Sequence, residues 1–222
     1  MRIASKILGI ITFLFSLASF LVAYFKSVHS PVEYKYVLLL CAVAALFALL
    51  PPIVSKVFKW QMPYFLRIFL YVYIICGIIL GNVYDFYYRI RLWDKLLHFF
   101  SGILLMVSGI ILINIFTEKG YIRLNRAFTV VVALLFTMAI GSIWEFIEYG
   151  IDCWLDVNMQ RYMLPDGTLL RGQDAVHDSM LDMIAAFAGA LITSIYLAIR
   201  GSFRSKAAGK LSAADMTDNP TA

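Results

Sequence analysis

Three short stretches place acids and imidazoles at helical spacing: WDKLLHFFSG at 93–102, SIWEFIEYGID at 142–152 and GQDAVHDSMLDM at 172–183. In the first, Asp94 and His98 are four apart, which on a helix stacks them on one face about 6 Å apart. In the second, Glu145 and Glu148 lie three apart, and Asp152 extends the same stripe at four. Two glutamates one turn apart repel each other when both are ionised, so they require a cation, a shared proton or a basic neighbour. In the third, Asp178 and Asp182 share a face at i, i+4, with Asp174 a turn earlier and His177 beside it.

Local structure explains part of this pattern. Asp94 can cap a helix, and Asp174 and Asp178 can sit at a helix start near the positive end of its dipole. Neither device accounts for His98 or Asp182, each a turn inside an apolar run. Five carboxylates (Asp94, Glu145, Glu148, Asp178 and Asp182) around His98 cannot all stay ionised in a low-dielectric bundle without compensation. Lys95 or Arg91 could supply some of it, and one or two divalent cations would supply more. That donor set suits Mg²⁺, Mn²⁺, Ca²⁺, Zn²⁺ or iron. A protonated carboxylate relay and a purely structural polar network are the other two readings.

The elements that must position these residues follow from composition. Of 222 residues, 62% are hydrophobic and only 15% charged, against roughly 25% charged in a soluble domain. The apolar residues fall into blocks of about 20, enough to cross the bilayer's hydrocarbon core as helix. Six spans are expected, at 7–25, 36–54, 65–83, 96–116, 127–149 and 179–199. Pro51 and Pro52 would kink or stop the second. The expected architecture is an all-α polytopic bundle over residues 1–200, with the polar motifs in 94–191 and a disordered cytoplasmic tail at 201–222. Ala185, Ala186, Gly189 and Ala190 have the small-residue spacing that lets another helix approach closely, which places the sixth span centrally.

Twelve of the nineteen basic residues fall on the N-terminal side of this topology, so the positive-inside rule orients both termini inward. The start of the fourth span, the end of the fifth and the start of the sixth then meet under the outer face. The net charge of +5 is distributed as loop charge, giving no nucleic-acid signature. Cys41, Cys76 and Cys153 lack the spacing of a disulfide framework or thiolate metal site. The N-terminal MRIASK followed by an apolar run lacks a good cleavage site and reads as an uncleaved first span.

DKLLHFFSG, then WEFIEY, then DSMLDM before a small-residue helix resembles the YjdF-like family of bacterial inner-membrane proteins over residues 94–191. The layout is distantly similar to VanZ-type membrane proteins, which pair an Asp-Lys-x-x-His-Phe start with a later acidic element. An aromatic residue often precedes the Asp-Ser/Thr pair in the YjdF-like pattern, whereas this chain has His177. The resemblance implies an integral protein of the cell inner membrane and names no reaction.

Three functions fit. One is a metal-dependent enzyme acting on lipid or amphiphile head groups, with Glu145 or Glu148 as general base and Asp94, His98, Asp178 and Asp182 as ligands or orienting groups. A second is a proton- or cation-coupled transporter, although its pathway should carry polar groups along its whole length. A third is a non-catalytic sensor or assembly partner with a structural ion. The connection between the fifth and sixth spans, containing LPDGTLLRGQD, is longer than a simple turn and could serve as a lid or docking loop.

Overall fold

The computed structural model describes residues 2–27, 31–57, 59, 61–164 and 166–217, with side chains described for 3–25, 37–57, 59, 61–164 and 166–199. The basic residues Arg2, Lys26, Lys35, Arg200, Arg204, Lys206 and Lys210, which contribute to the charge asymmetry, lie outside the described side chains. The helices are α1 (Arg2–Ser27), α2 (Pro31–Val57), α3 (Tyr64–Tyr73), α4 (Phe86–Arg89), α5 (Trp93–Glu118), α6 (Arg126–Leu155) and α7 (Gln173–Thr217). A π-helix, Ile74–Val83, continues α3 without a break.

Among the described residues, six helical segments are long and apolar enough to cross a membrane: Ile3–Phe25, Val37–Val57, Tyr64–Val83, Trp93–Glu118, Arg126–Leu155 and Gln173–Ile199. The chain is an all-α, multi-pass membrane protein. Large apolar side chains such as Leu46, Leu135 and Ile184 point outward, while Thr12, Thr137 and Asp182 are buried. That inversion is expected where the surrounding solvent is hydrocarbon and helices are held by close packing and polar contacts.

The first three spans pack around Ala44, Ala48, Tyr71, Ile74 and Ile79. Along α1, Ser5, Thr12, Ser16 and Ser19 form a buried stripe of small residues toward α2. The hydroxyls of Thr12 and Ser16 donate to the carbonyls four residues back, at 2.8 Å each, which satisfies them within the helix. Pro51 and Pro52 lie inside α2 and do not stop it.

A second core, around Met106, Ile113, Ala133 and Ala190, joins α5, α6 and α7. Here α5 and α7 touch backbone to backbone. A β-carbon on Gly102 would overlap the Ala186 carbonyl, and one on Gly189 would overlap the Phe99 carbonyl. The small-residue spacing in the sixth span thus marks its crossing with the fourth. At the far end, Arg126 donates to the Leu197 carbonyl at 2.7 Å and ties α6 to α7.

Two helix starts differ from expectation. The N-cap of α5 is Leu92, and Asp94 lies within the first turn without capping it. Helix α7 begins at Gln173, not at Asp178–Ser179, so Asp178 is already in the second turn. Hydropathy marks where a helix enters hydrocarbon, whereas its backbone hydrogen bonds can begin earlier in polar surroundings. At its other end α7 runs to Thr217, and 218–222 lie outside the described residues. Extending a formed helix is easier than nucleating one, and the end of α7 is rich in Ala, Lys and Ser with few breakers.

The π segment positions the start of α5. Its wider turns leave carbonyls for other donors: Cys76 O accepts from the Trp93 indole at 3.1 Å, and Gly77 O from Asn82 at 3.2 Å. Phe86 packs edge-on against Trp93, with ring centroids 5.0 Å apart. Trp93 is therefore fixed on two sides, and Asp94 and Lys95 follow it directly into the bundle.

Candidate functional site

The start of α5, the end of α6, the start of α7 and the 156–172 connection converge on one buried polar cluster. Its centre is Lys95. The Lys95 ammonium donates to Asp178 Oδ1 and to Asp94 Oδ2 at 3.2 Å, and it lies 2.8 Å from both oxygens of Asp182. Of these last two, only Asp182 Oδ2 receives a directed hydrogen bond; Oδ1 is buried without one, as is Asp178 Oδ2. His98 Nε2 faces two of the same carboxylates, 3.6 Å from Asp94 Oδ1 and 3.7 Å from Asp182 Oδ1. Asp182 is the deepest member, only 1% exposed.

A second cation comes from the connection. Arg161 places its guanidinium 3.6 Å from Asp94 Oδ2 and 3.8 Å from Asp178 Oδ2, and donates to the Tyr87 carbonyl at 3.1 Å. Asp152 organises this loop. Its two carboxylate oxygens accept the amides of Met159 (2.7 Å) and Gln160 (3.0 Å), directly before Arg161. Asp156 and Arg161 have φ of 52° and 50°, a left-handed backbone that non-glycine residues adopt only when surroundings enforce it. Farther out, Met163 and Leu169 pair across a short turn, where the Thr168 amide bonds Asp166 at 2.9 Å and holds that exposed carboxyl below its ordinary range.

Removing both carboxylate–amide bonds should release the loop. Asp152→Ala is expected to cost about 2–4 kcal/mol. Hydrogen exchange should accelerate at 159–161 before the rest of the molecule; unchanged protection there would show that Asp152 does not anchor the loop.

The glutamates form an adjoining wall. Glu148 Oε1 accepts the Trp144 indole N–H at 2.7 Å, and Gln160 reaches Glu145 Oε2 at 3.4 Å and Ser179 Oγ at 3.2 Å. Glu148 is close enough to Glu145, Asp94 and Asp182 to feel their charges. On the α3 side, the Ser101 hydroxyl donates to the His98 carbonyl at 2.7 Å, with Tyr73 close by.

Asp94, His98, Glu145, Glu148, Asp178 and Asp182 are thus gathered at one end of the bundle. Among the described residues, Asp94, His98 and Asp182 are the group whose donor atoms lie within 4.8 Å of one another. Asp174 and His177 are exposed and make no part of the cluster, and Arg91 is exposed, so Lys95 alone of that pair supplies charge. Arg161 and Gln160 are additions that spacing could not reveal. They sit in irregular chain, and the only signal was an isolated basic residue in a loop between two acidic helix ends.

The family described as "Predicted membrane protein (DUF2238)" matches residues 11–202. An "Uncharacterized protein" of Thermotoga maritima is 27% identical over 134 residues, covering 60% of this chain and 62% of that protein. The chain therefore spans about three fifths of the length of the curated relative it matches. No solved structure matches.

Proposed function

Because the chain belongs to the DUF2238 family of membrane proteins, a description that specifies no chemistry, we propose a function from the site itself: a membrane-embedded, divalent-metal-dependent enzyme acting on lipid or amphiphile head groups. The observation that carries this reading is the buried triad Asp94, His98 and Asp182, within which Asp182 Oδ1 has no hydrogen bond.

The donor set fits an ion. Two carboxylates and one imidazole are borderline-hard ligands suited to Mn²⁺, Mg²⁺, Zn²⁺ or Fe²⁺. Ligand atoms about 2.0–2.2 Å from a common ion lie at most about 4.4 Å apart, so the triad needs to close only slightly. Three protein ligands leave coordination positions for water and substrate. Lys95 would move off Asp182 and remain on Asp178. Charge supports the reading as well: the three aspartates exceed Lys95 and Arg161 by one negative charge, before either glutamate is counted. The bound ion would polarise a phosphoryl or carbonyl oxygen or activate water. Glu145 and Glu148 line the same space without joining the triad, which suits them to general-base work rather than ligation.

The buried acids and the described cations that face them gather at one end of the bundle, which supports a head-group site over a through-membrane path. The YjdF-like motif order and the positive-inside count support placing that end at the outer face of a bacterial inner membrane.

Protein purified in detergent, loaded with Mn²⁺ and desalted, should retain about one ion per chain, and saturating Mn²⁺ should raise Tm by roughly 5 °C or more. His98→Ala and Asp182→Asn should abolish both effects, while Glu145→Gln should keep the ion. The proposal fails if wild-type protein retains no ion or if the triad variants retain as much as wild type.

A further inference from the structure

Arg161 is not used by the metal site, and its placement is unusual for a structural ion pair. Its side chain is 29% exposed, against 17% for Lys95, 11% for Asp94 and 2% for Asp182, so it stands at the mouth of the cluster. Its distances to Asp94 and Asp178, 3.6 and 3.8 Å, are too long for hydrogen bonds. Among the described residues, the one hydrogen bond its side chain makes goes to the Tyr87 carbonyl. Most of the five N–H donors of a guanidinium are therefore left over, in the forked geometry that matches a phosphate or carboxylate.

Charge decides when an anion can enter. With Asp94, Asp178 and Asp182 against Lys95 and Arg161, and with Glu145 and Glu148 holding protons, the cluster carries one net negative charge and repels anions. A divalent ion reverses that sign to one net positive charge. Anion binding at the mouth should accordingly follow metal binding in the interior.

We propose that Arg161, backed by Lys95, recognises a phosphate-bearing amphiphile head group once a divalent ion sits on Asp94, His98 and Asp182; the inference rests on the metal site above and names its substrate class. The amphiphile part comes from the rim. The segments that carry and hold Arg161 present exposed Trp154, Tyr149, Tyr88 and Leu169, the kind of residues that settle at a membrane interface. A phosphate arriving on a lipid would bring its glycerol and chains against that rim.

Calorimetric titration of Mn²⁺-loaded protein in detergent tests this with three probes: dioctanoyl phosphatidic acid, dioctanoylglycerol and inorganic phosphate. The phosphatidic acid should bind at least about tenfold more tightly than the diacylglycerol, and only in the presence of Mn²⁺. Arg161→Ala should lose about tenfold or more in that affinity while keeping its Mn²⁺ content, and Arg161→Lys should fall between them because an ammonium lacks the fork. Equal binding of the two lipids, or an unchanged affinity in Arg161→Ala, overturns the inference while Mn²⁺ retention leaves the metal site standing. A wild type that holds no Mn²⁺ sinks both. Inorganic phosphate binding as tightly as the lipid overturns the amphiphile assignment and retains that of the anion.

Discussion

Lys95→Met should lower the melting temperature by on the order of 10 °C, a loss of about 3–5 kcal/mol. The substitution keeps the length and apolar stem of the side chain and removes only the ammonium. What remains is Asp94, Asp178 and Asp182 in a space where Arg161 stands 3.6 and 3.8 Å away and donates to none of them. Breaking a buried ion pair from one side costs far more than the pair contributes, since the surviving charges have lost their solvation and their partner. Adding Asp178→Asn should therefore recover part of the loss, so that the double variant is more stable than the sum of the single effects. A melting temperature within a degree of wild type would show that the ammonium does not compensate the acids. The same variant bears on the proposed metal site. Lys95 Nζ occupies both oxygens of Asp182, so its removal should tighten Mn²⁺ binding and let Mn²⁺ restore much of the lost stability.

Gly102→Ala should be nearly as damaging, at about 3 kcal/mol, although it adds a single methyl. The added carbon would meet the Ala186 carbonyl, part of a helix backbone that cannot rotate away like a side chain. Either α5 and α7 separate, or the carbonyl's helix bends. Both responses move Asp94, Lys95 and His98 relative to Asp178 and Asp182. Gly189→Ala should behave alike, because its methyl would strike the Phe99 carbonyl. Gly141→Ala is the control: nothing lies within 4 Å of its position on α6, and alanine is favoured over glycine in a helix by about 0.5–1 kcal/mol. Thermal melts should separate Gly102→Ala and Gly189→Ala from Gly141→Ala, and the packing argument is lost if Gly102→Ala and Gly141→Ala melt together.

The spans were legible because a hydrocarbon solvent imposes a simple rule: each crossing needs about 20 apolar residues. Acids that break such a run stand out against it, and Asp94, His98, Glu145, Glu148, Asp178 and Asp182 were visible for that reason. Lys95 was harder to assign. One step along a helix turns a side chain by about 100°, which argues against Lys95 sharing a face with Asp94. In the fold its long stem reaches across to α7, and flexibility overrides the wheel. Asp152 was seen as part of a stripe, yet its partners are backbone amides of a loop, which carry no residue identity to read. Arg161 and Gln160 lie where chain direction follows local hydrogen bonds rather than a period. The π segment was also hidden, since a widened turn in a uniformly apolar helix leaves hydropathy unchanged.

Assembly from three distant parts also gives the site a history in time. Lys95 and Asp94 are synthesised well before Arg161, Asp178 and Asp182. Until α7 is laid down, the early pair lacks Asp178 and Asp182, but both residues lie in the first turn of their helix, where long and short polar chains can still reach head-group water. Arrival of α7 brings the missing carboxylates to Lys95 and seals them behind the Gly102–Gly189 crossing. Helix α7 therefore acts as a keystone, converting scattered interfacial charges into a buried network.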